Sequence, residues 1–494
     1  METLRHLSHQ LSTGELTTVR LLERCLAAIA DRDRGEAGLH AILELNPDAE
    51  QLAASLDDDR ARGQVRGPLH GIPIVIKGNI DTADRMETTA GSLALKGHIA
   101  RQDAAVVARL RAAGALLLAK ANLSEWANFR GARSVSGWSS LGGQTRNPYD
   151  PERSPCGSSS GSAAAVAAGY CPVSVGTETD GSIVCPAQVC GVVAVKPTVG
   201  LISRVGIVPI AHSQDTAGTM ARSVEDAALL LSALAGADPD DPATHAIPPG
   251  YDTAFAAHLK PNHLRGVRLG VLRDCFGRHP RVDALIENRL QILRDLGAQV
   301  IDPVRLGTAG QWHDAEMNVL LHEFKHDLNA YLSTVDARLG LASLSDVIEF
   351  NRRHADDVMP YFRQELMEQA EATAGLDDPT YVEALATCRR LTRTEGIDAA
   401  LQEHHLDALV APTGTPAWLI DHVLGDFVLG SCSSAAAVAG YPHVTVPAAF
   451  LGGLPVGLSF IASAWQEASL LRYAFAFERA VRDELTSDLA RGSR

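Results

Sequence analysis

Two short loops rich in serine and glycine have the composition that covalent catalysis requires. The first, Gly157–Gly161, lies in CGSSSGSAAAVAAG, and the second, Gly176–Ser182, lies in GTETDGS. Glycine lets a backbone approach a bound molecule closely, and successive N–H groups in such a turn can hold an oxyanion. A serine hydroxyl in either loop would become a nucleophile once a base removes its proton.

The same loops have two other interpretations, a flexible loop and a phosphate-binding loop. The phosphate-binding P-loop requires a lysine followed by Ser or Thr directly after its last glycine. Neither loop has a lysine at that place. The local pattern therefore fits either a catalytic loop or a flexible loop. A catalytic base elsewhere in the chain would favour the catalytic interpretation.

A lysine at the end of an apolar segment could supply that base. Lys77 closes the run IPIVIK within GPLHGIPIVIKGNID, Gly67–Asp81, which is typical of a short buried β-strand. An exposed lysine has a pKa of about 10.4 and is protonated at neutral pH, whereas burial lowers that pKa by up to several units. An uncharged Lys77 could accept a proton through a serine hydroxyl, which both donates and accepts hydrogen bonds.

Lys77, Ser158 and Ser182, in this order and with 24 residues from the first serine to the second, resemble the motifs of the amidase signature family. Two further segments continue the resemblance, Gly191–Met220 and the C-terminal YPHVTVPAAFLGGLPVGLSFIA at Tyr441–Ala462. The resemblance therefore covers nearly the whole chain.

This resemblance implies a complete hydrolytic mechanism. Ser182 would be the nucleophile, Ser158 a bridging serine preceded by a cis peptide from Gly157, and Lys77 the terminal base. Ser182 would attack an amide carbonyl, Ser158 would pass a proton to the departing amine, and water would release the acid from the acyl-enzyme. The oxyanion hole would consist of backbone N–H groups, those of Thr179, Asp180, Gly181 and Ser182. The resemblance implies neither a metal ion nor an organic cofactor.

The sequence departs from the common family pattern around the nucleophile. Most members resemble GTDTGGSIR, whereas this chain has GTETDGSIV, with Glu178, Asp180 and Val184 at the changed positions. Asp180 keeps its backbone N–H; its side chain either faces the site and biases substrate choice or makes loop hydrogen bonds. Gly78 follows Lys77 where the family often has Asp. This departure puts in doubt a side-chain partner of Lys77, but not the role of Lys77 as the base.

These departures favour one branch of the family. ETDGSIVCPA, NLSEWANFRG (Asn122–Gly131) and SVSGWSSLGGQTRNPYD (Ser134–Asp150) are most similar to the bacterial peptide amidases, which release ammonia from C-terminal peptide amides. Three alternatives stay open: a hydrolase of carbamates or aryl acylamides, the partner-dependent glutaminase component of an amidotransferase, and a scaffold that has lost activity. We expect the substrate to be a small-molecule or peptide amide.

Candidate substrate contacts flank these motifs. The aromatic residues among them also fit a buried core, which is the more frequent place for an aromatic side chain. The candidates are Trp126, Phe129, Trp138, Gly157, Trp418, Phe427 and Cys432. We further interpret Arg204 and Asp215 as a buried charge pair that holds the loops.

Alternating helix and strand patterns predict an α/β protein with a sheet covered by helices on both faces and a helical subdomain. The family resemblance implies that this is the amidase-signature fold, with a large mixed central sheet. We expect a single domain over residues 1–494. Its parts would be N-terminal helices at 1–62, a catalytic core at 63–280, a helical insertion or cover at 281–402, and a return to the core sheet at 403–494.

Composition limits the remaining possibilities. The net charge of −15 is spread over 494 residues, and lysine and arginine are not clustered, which argues against a nucleic-acid partner. No apolar run approaches the length of a membrane span, and Met1–Arg20 lacks the apolar centre of a signal peptide. We therefore expect a cytoplasmic monomer or homodimer without membrane contact, in which the eight scattered cysteines are reduced and mostly buried.

Overall fold

A mixed sheet crosses the computed structural model, which describes residues 2–259 and 264–492. The predicted segments that include Met1, 260–263 or 493–494 extend outside the described residues at those positions. The strands, β1 to β13, are Ile42–Leu45, Pro73–Lys77, Leu116–Ala121, Trp138–Ser139, Gly143–Gln144, Val173–Glu178, Val193–Lys196, Thr216–Ala221, Arg268–Leu272, Gln299–Val304, Ala408–Pro412, His443–Leu451 and Leu454–Ile461.

Helices precede, connect and follow these strands. They are α1 to α16: Leu4–Thr13, Thr18–Arg32, Ala49–Ala61, Ala105–Ala112, Ser160–Ala168, Val184–Val189, Val224–Leu234, Pro280–Asp295, His313–Leu332, Leu344–Arg353, Ala355–Val358, Glu365–Glu371, Pro379–Arg389, Asp398–Glu403, Ser434–Ala439 and Glu467–Gly492. A π-helical segment, Arg390–Ile397, joins α13 to α14. None of the described helices combines the length and the apolarity that crossing a bilayer requires.

Within the described residues, eleven strands pair in the order β1-β3-β2-β6-β8-β7-β12-β13-β11-β9-β10, and β4 pairs with β5 separately. Strand β2 runs parallel to β3 and β6, and β9 runs parallel to β10 and β11. The other neighbours in the large sheet are antiparallel. The prediction of a large mixed sheet is thereby confirmed.

Side chains of β2 alternate between the two faces of the sheet. Ile74 and Ile76 join a hydrophobic cluster with residues of α1, α4, α7, α8 and α16. Val75 joins a second cluster, with residues of α2, α3, α5 and α6. Helices therefore cover both faces, as predicted. Because successive side chains in a strand point to opposite faces, Lys77 lies on the face of Val75, where α5 begins.

The predicted range of the helical cover, 281–402, includes a helix of the main core and a strand of the sheet before its run of further helices. Ile286, Leu290 and Leu293 of α8 pack in the core cluster against the sheet, and β10 forms the edge of that sheet. The helices of the cover are α9 to α14. The sequence QVIDPV does not indicate a strand, because the residues of β10 are mostly exposed and form no continuous apolar run.

The local sequence of strand β8 does not indicate a strand. Strand β8 has the sequence TAGTMA, in which the two threonines are the only residues that favour strands. It becomes a strand because it pairs with β6 on one side and β7 on the other. Tertiary pairing, rather than local propensity, therefore determines this central part of the sheet.

Candidate active site

The amine of Lys77 lies in the protein interior among hydroxyl and carbonyl oxygens. Its side chain is fully buried. The Nζ atom donates to Ser158 Oγ at 2.7 Å, to Thr177 Oγ1 at 2.8 Å and to the Thr177 carbonyl at 3.2 Å. Burial lowers the pKa of Lys77 to about 7, although the charges of Asp215 and Glu178 oppose this shift. A lysine in this state exchanges its proton near neutral pH.

Strand pairing brings Thr177 to this lysine, and sequence reasoning missed it. Ile76 of β2 pairs with Val175 of β6 in parallel register, so the ends of the two strands lie side by side. Thr177 Oγ1 also accepts a hydrogen bond from Asn79 Nδ2 at 3.1 Å. The pairing of β2 with β6, had it been predicted, would have placed Thr177 next to Lys77.

Ser158 lies in a tight loop at the start of α5. The peptide bond from Gly157 to Ser158 is cis, as the family resemblance implied. A Cβ atom on residue 157 would come within 2.1 Å of Ser124 Oγ, so any residue other than glycine would displace that hydroxyl. The next residue, Ser159, donates its backbone N–H to the Ser182 carbonyl at 3.1 Å. The two serine-rich loops are thus joined directly.

The loop from Glu178 to Ser182 leads from β6 into α6. Glu178 Oε2 accepts the backbone N–H groups of Ile183 at 2.6 Å and Val184 at 3.0 Å, which otherwise lack partners at the beginning of a helix. Gly181 has a φ of 76°, a value that favours glycine. In the described part of the chain, no acceptor takes the backbone N–H groups of residues 179–182.

Two cavities border this loop. The first, of about 410 Å³, is lined by the residues before the two serines, Gly157 and Gly181, and by Asp180. Its other lining residues are seven polar ones, Asn128, Arg133, Ser134, Ser136, Asp426, Ser431 and Ser433, three apolar ones, Ala132, Leu424 and Val428, and the cysteines Cys156 and Cys185. The second, of about 370 Å³, lies against Asn79, Thr177, Thr179 and Asp215.

Comparison with known proteins identifies the family. A model of the amidase family matches residues 20–471. The chain belongs to the amidase family. A probable amidase of Arabidopsis thaliana is 40% identical over 491 residues, which cover 97% of this chain and 90% of the plant protein.

Two further proteins, a peptide amidase and a subunit of an amidotransferase, are similar to this chain over nearly its whole length. The structure of the native peptide amidase from Stenotrophomonas maltophilia has a TM-score of 0.92, 52% sequence identity and coverage of 97% of both chains. One chain of the glutamyl-tRNA(Gln) amidotransferase of Chloroflexus aurantiacus is 37% identical over 494 residues, covering 95% of this chain and 94% of that protein. The protein described here is therefore a hydrolase that acts on amide bonds.

The structure places the predicted substrate contacts of this amidase in different surroundings. Gly157 lines the first cavity. The aromatic ring of Phe427 is 72% exposed on a segment whose neighbours Leu424 and Val428 line the same cavity. Cys432 is buried, and its Sγ lies 3.8 Å from His443 Nε2.

Four other predicted contacts are buried aromatic residues. Trp126 and Phe129 belong to one hydrophobic cluster of the amidase, and Phe129 meets Phe324 edge-on at 5.0 Å. Trp138 packs in a second cluster, and Trp418 donates its indole N–H to Asp426. The structure places these rings in packed clusters, and their role in substrate binding stays a prediction.

The predicted charge pair between Arg204 and Asp215 is wrong. The Arg204 guanidinium pairs instead with Asp241, with Nε donating to Oδ2 at 2.9 Å. Asp215 accepts the Thr179 hydroxyl at 2.5 Å and the backbone N–H groups of Ile210 and Ala211. Burial raises the pKa of Asp215 to about 6. Asp215 therefore fixes the loop around Thr179 by hydrogen bonds rather than by an ion pair.

His212, Glu323 and Asp327 hold their donor atoms close enough together for a metal ion. His212 Nδ1 lies 2.9 Å from Asp327 Oδ2, and Nε2 lies 3.4 Å from Glu323 Oε1. Although burial opposes it, the hydrogen bond to Asp327 and the charge of Glu323 raise the pKa of His212. Both ring nitrogens thus face carboxylates, which is the arrangement of a protonated imidazole, and we assign no metal to this cluster.

The prediction of eight reduced cysteines is wrong for Cys156 and Cys185, which form a disulfide. The two residues are 29 positions apart, so sequence spacing alone does not indicate a pair. They meet because Cys156 stands before the Ser158 loop and Cys185 stands after Ser182, in the loops that the Ser159–Ser182 hydrogen bond joins. The other six cysteines are free thiols, and all of these except Cys275 are buried.

Loss of this disulfide should destabilise the amidase. For the double variant Cys156→Ser/Cys185→Ser, the unfolding free energy should fall by roughly 3 to 4 kcal/mol, because the unfolded chain regains the freedom of a loop of about this length. Urea denaturation without reductant measures the change, with Cys275→Ser as the matched single-thiol control. A thiol titration of unreduced, denatured wild-type protein that found eight thiols instead of six would contradict the pairing.

Proposed function

We propose that this amidase cleaves the carboxamide of C-terminal peptide amides through an acyl-enzyme on Ser182. The observation that carries the proposal is the 2.7 Å hydrogen bond between the buried amine of Lys77 and Ser158 Oγ. An amine with a pKa near 7 can take up and return a proton at neutral pH. The direct link from the Ser158 loop to the Ser182 carbonyl supports a relay from the lysine to the nucleophile.

The proposed reaction has two steps, formation of the acyl-enzyme and its hydrolysis. The Ser182 hydroxyl attacks the carbonyl carbon while its proton moves through Ser158 to neutral Lys77. The oxyanion that forms is stabilised by the free backbone N–H groups of residues 179–182. Lys77 then returns the proton through Ser158 to the leaving nitrogen, and ammonia departs. Water repeats the same path, releases the acid and restores Ser182.

The first cavity supports a peptide as the acyl part. Gly157 and Gly181 place the Ser158 and Ser182 loops at its wall. Polar groups such as Asn128 and Arg133 can pair with peptide N–H and C=O groups, whereas Leu424 and Val428 can contact an apolar side chain. The 52% identity with the Stenotrophomonas peptide amidase points to the same substrate class.

Glutamine hydrolysis within an amidotransferase is a second candidate function. The 37% identity with the Chloroflexus amidotransferase chain favours it, since the glutamine side chain carries the same carboxamide group. Carbamates and aryl acylamides are further substrates that the same chemistry would accept.

A substrate panel separates these candidates. The purified chain is assayed for kcat/KM with C-terminal peptide amides, free glutamine, anilides, short aliphatic amides and carbamates. We expect the highest kcat/KM with peptide amides. A higher value with glutamine, or with carbamates, would replace peptide amidase activity with that function.

Removal of the Ser182 hydroxyl tests the acyl-enzyme. Ser182→Ala should lower kcat by roughly 10⁴-fold or more, because the nucleophile is lost while the fold remains. A fluorophosphonate probe followed by peptide mass spectrometry should label Ser182 in the wild type. The control variant Ser232→Ala, on α7, should label and turn over normally. Labelling of a different serine would contradict the assignment.

The rate should rise with pH through the titration of Lys77. The amine acts as a base only when uncharged, and its pKa is lowered to about 7. Below that pH, kcat/KM should therefore fall by about tenfold per unit, and above it the rate should reach a plateau. Lys77→Met should cost on the order of 10²–10⁴-fold. A rate that is highest in acid, or near-normal turnover by Lys77→Met, would exclude Lys77 as the base.

A further inference from the structure

Three consecutive residues of a short turn hold a backbone conformation that residues other than glycine rarely adopt. Trp126, Ala127 and Asn128 have φ values of 52°, 53° and 76°. Asparagine tolerates this left-handed region, whereas alanine and the bulky tryptophan enter it only at a cost in free energy. Strained backbone of this kind persists only where the surrounding structure enforces it, and it is frequent at sites that clamp a ligand.

A buried ion pair encloses this turn. Glu125 precedes the turn and Arg130 follows it, both side chains are fully buried, and Arg130 Nη1 lies 3.1 Å from Glu125 Oε2. The Arg130 guanidinium also lies over the ring of Phe362, 4.1 Å from its centroid, and donates to backbone carbonyls of the segment 358–362 in the cover. The Trp126 N–H donates to the Ala90 carbonyl at 3.0 Å. Contacts outside the turn therefore fix its conformation.

The turn forms part of the wall between the two cavities beside the nucleophile loop. Ala127 lines the second cavity, and Asn128 lines the first. Gly157 and Gly181, which precede the two serines, line the first cavity as well. The side chain of Asn128 therefore shares this space with both serine loops.

The side-chain oxygen of Asn128 lacks a hydrogen-bond partner. Its Oδ1 atom is buried, and no described group donates to it. Other buried polar atoms lack partners too, but among the described residues only Asn128 combines such an atom with a place in the wall of the first cavity. A buried acceptor without a donor costs free energy, so a bound molecule that supplies an N–H group would be stabilised here.

The acyl part of a peptide amide offers this donor. The backbone nitrogen of the C-terminal residue is two bonds away from the carbonyl carbon that Ser182 attacks, and its hydrogen is the nearest donor within the acyl part. A carboxamide oxygen accepts such a hydrogen as a peptide carbonyl does. Simple aliphatic amides have no N–H at this place, and in the side chain of glutamine the corresponding atom is carbon.

We propose that Asn128 determines specificity by accepting, through Oδ1, the backbone N–H of the residue whose carboxamide is cleaved. The enzyme then selects amides of N-acylated amino acids, the class to which C-terminal peptide amides belong, over simple amides and the side chain of glutamine. The inference rests on the proposed function, because it requires that the acyl part of the substrate occupies the first cavity. Asn128 contacts the substrate away from the bond that is cleaved, so it acts on binding.

A pair of substrates that differ at one position tests this role. N-acetyl-L-phenylalaninamide carries the N–H, and O-acetyl-L-phenyllactamide has an ester oxygen in its place. Ammonia release gives kcat/KM for both. We expect the wild type to prefer the first by about tenfold or more, because the ester oxygen cannot donate and leaves Oδ1 without a partner.

Two variants at position 128 separate the carboxamide from the backbone. Asn128→Gly removes the side chain and adopts the φ of 76° without strain. Its kcat/KM for the N–H substrate should fall by about tenfold, mainly through KM, whereas the value for the ester analogue should change by less than about threefold. Asn128→Asp keeps an acceptor oxygen and should keep the preference for the N–H substrate.

Asn318→Ala is the matched control. Asn318 of α9 also has a buried Oδ1 that no described group donates to, but it lines neither cavity. This variant should retain the wild-type preference between the two substrates.

The outcomes distinguish this inference from the proposed function. A wild type that releases ammonia from neither substrate and is not labelled by the fluorophosphonate would overturn the proposed function. An active wild type with equal kcat/KM for both substrates would overturn the role of Asn128 alone, and this result needs no variant. Loss of the preference in Asn128→Asp, or an unchanged preference in an Asn128→Gly variant whose thermal melt shows that it is folded, would also overturn that role.

Discussion

The amine of Lys77 has exchanged water for two hydroxyls and one carbonyl oxygen. No carboxylate of the described residues contacts it directly; Asp215 and Glu178 act on it only through their charge. A direct ion pair would stabilise the ammonium form and raise the pKa, which would make the lysine useless as a base. The proposed role of Lys77 as a base therefore requires that the sheet bury Lys77 while acidic side chains stay out of contact with its amine, and this constraint bears on the surrounding structure.

The arrangement of those acids shows how the constraint is met. Glu178 directs one oxygen to the first N–H groups of α6, and Asp215 directs its oxygens to Thr179, Ile210 and Ala211. Each carboxylate thus fixes backbone near Lys77 without reaching its amine. On α9, Glu323 and Asp327 accept the backbone N–H groups of Ser213 and His212. Glu316 accepts the side-chain amide of Gln214, so all three side chains hold α9 against the segment 212–214.

The sequence predicted those parts of the site that local pattern encodes. The apolar run before Lys77 indicated a buried strand, and the glycine and serine composition indicated the two loops that precede α5 and α6. Contacts that depend on how distant segments pair could not be predicted: the position of Thr177 beside Lys77, the Cys156–Cys185 disulfide, and the hydrogen bond from Gln214 to Glu316. An amphipathic helix pattern predicts α9 but does not indicate which element its acidic side chains meet.

The order of strands in the sheet determines when the sheet can form while the chain is being synthesised. The last strands, β12 and β13, lie in the middle of the sheet between β7 and β11, and Ser433 joins the loop at Asp180 from just before α15. A growing chain that has released Lys77 and both serines still lacks the centre of its sheet. The native sheet therefore closes only after residues 443–461 have been synthesised, so hydrolytic activity requires them, and a chain shortened before them exposes apolar strand edges instead of a working enzyme.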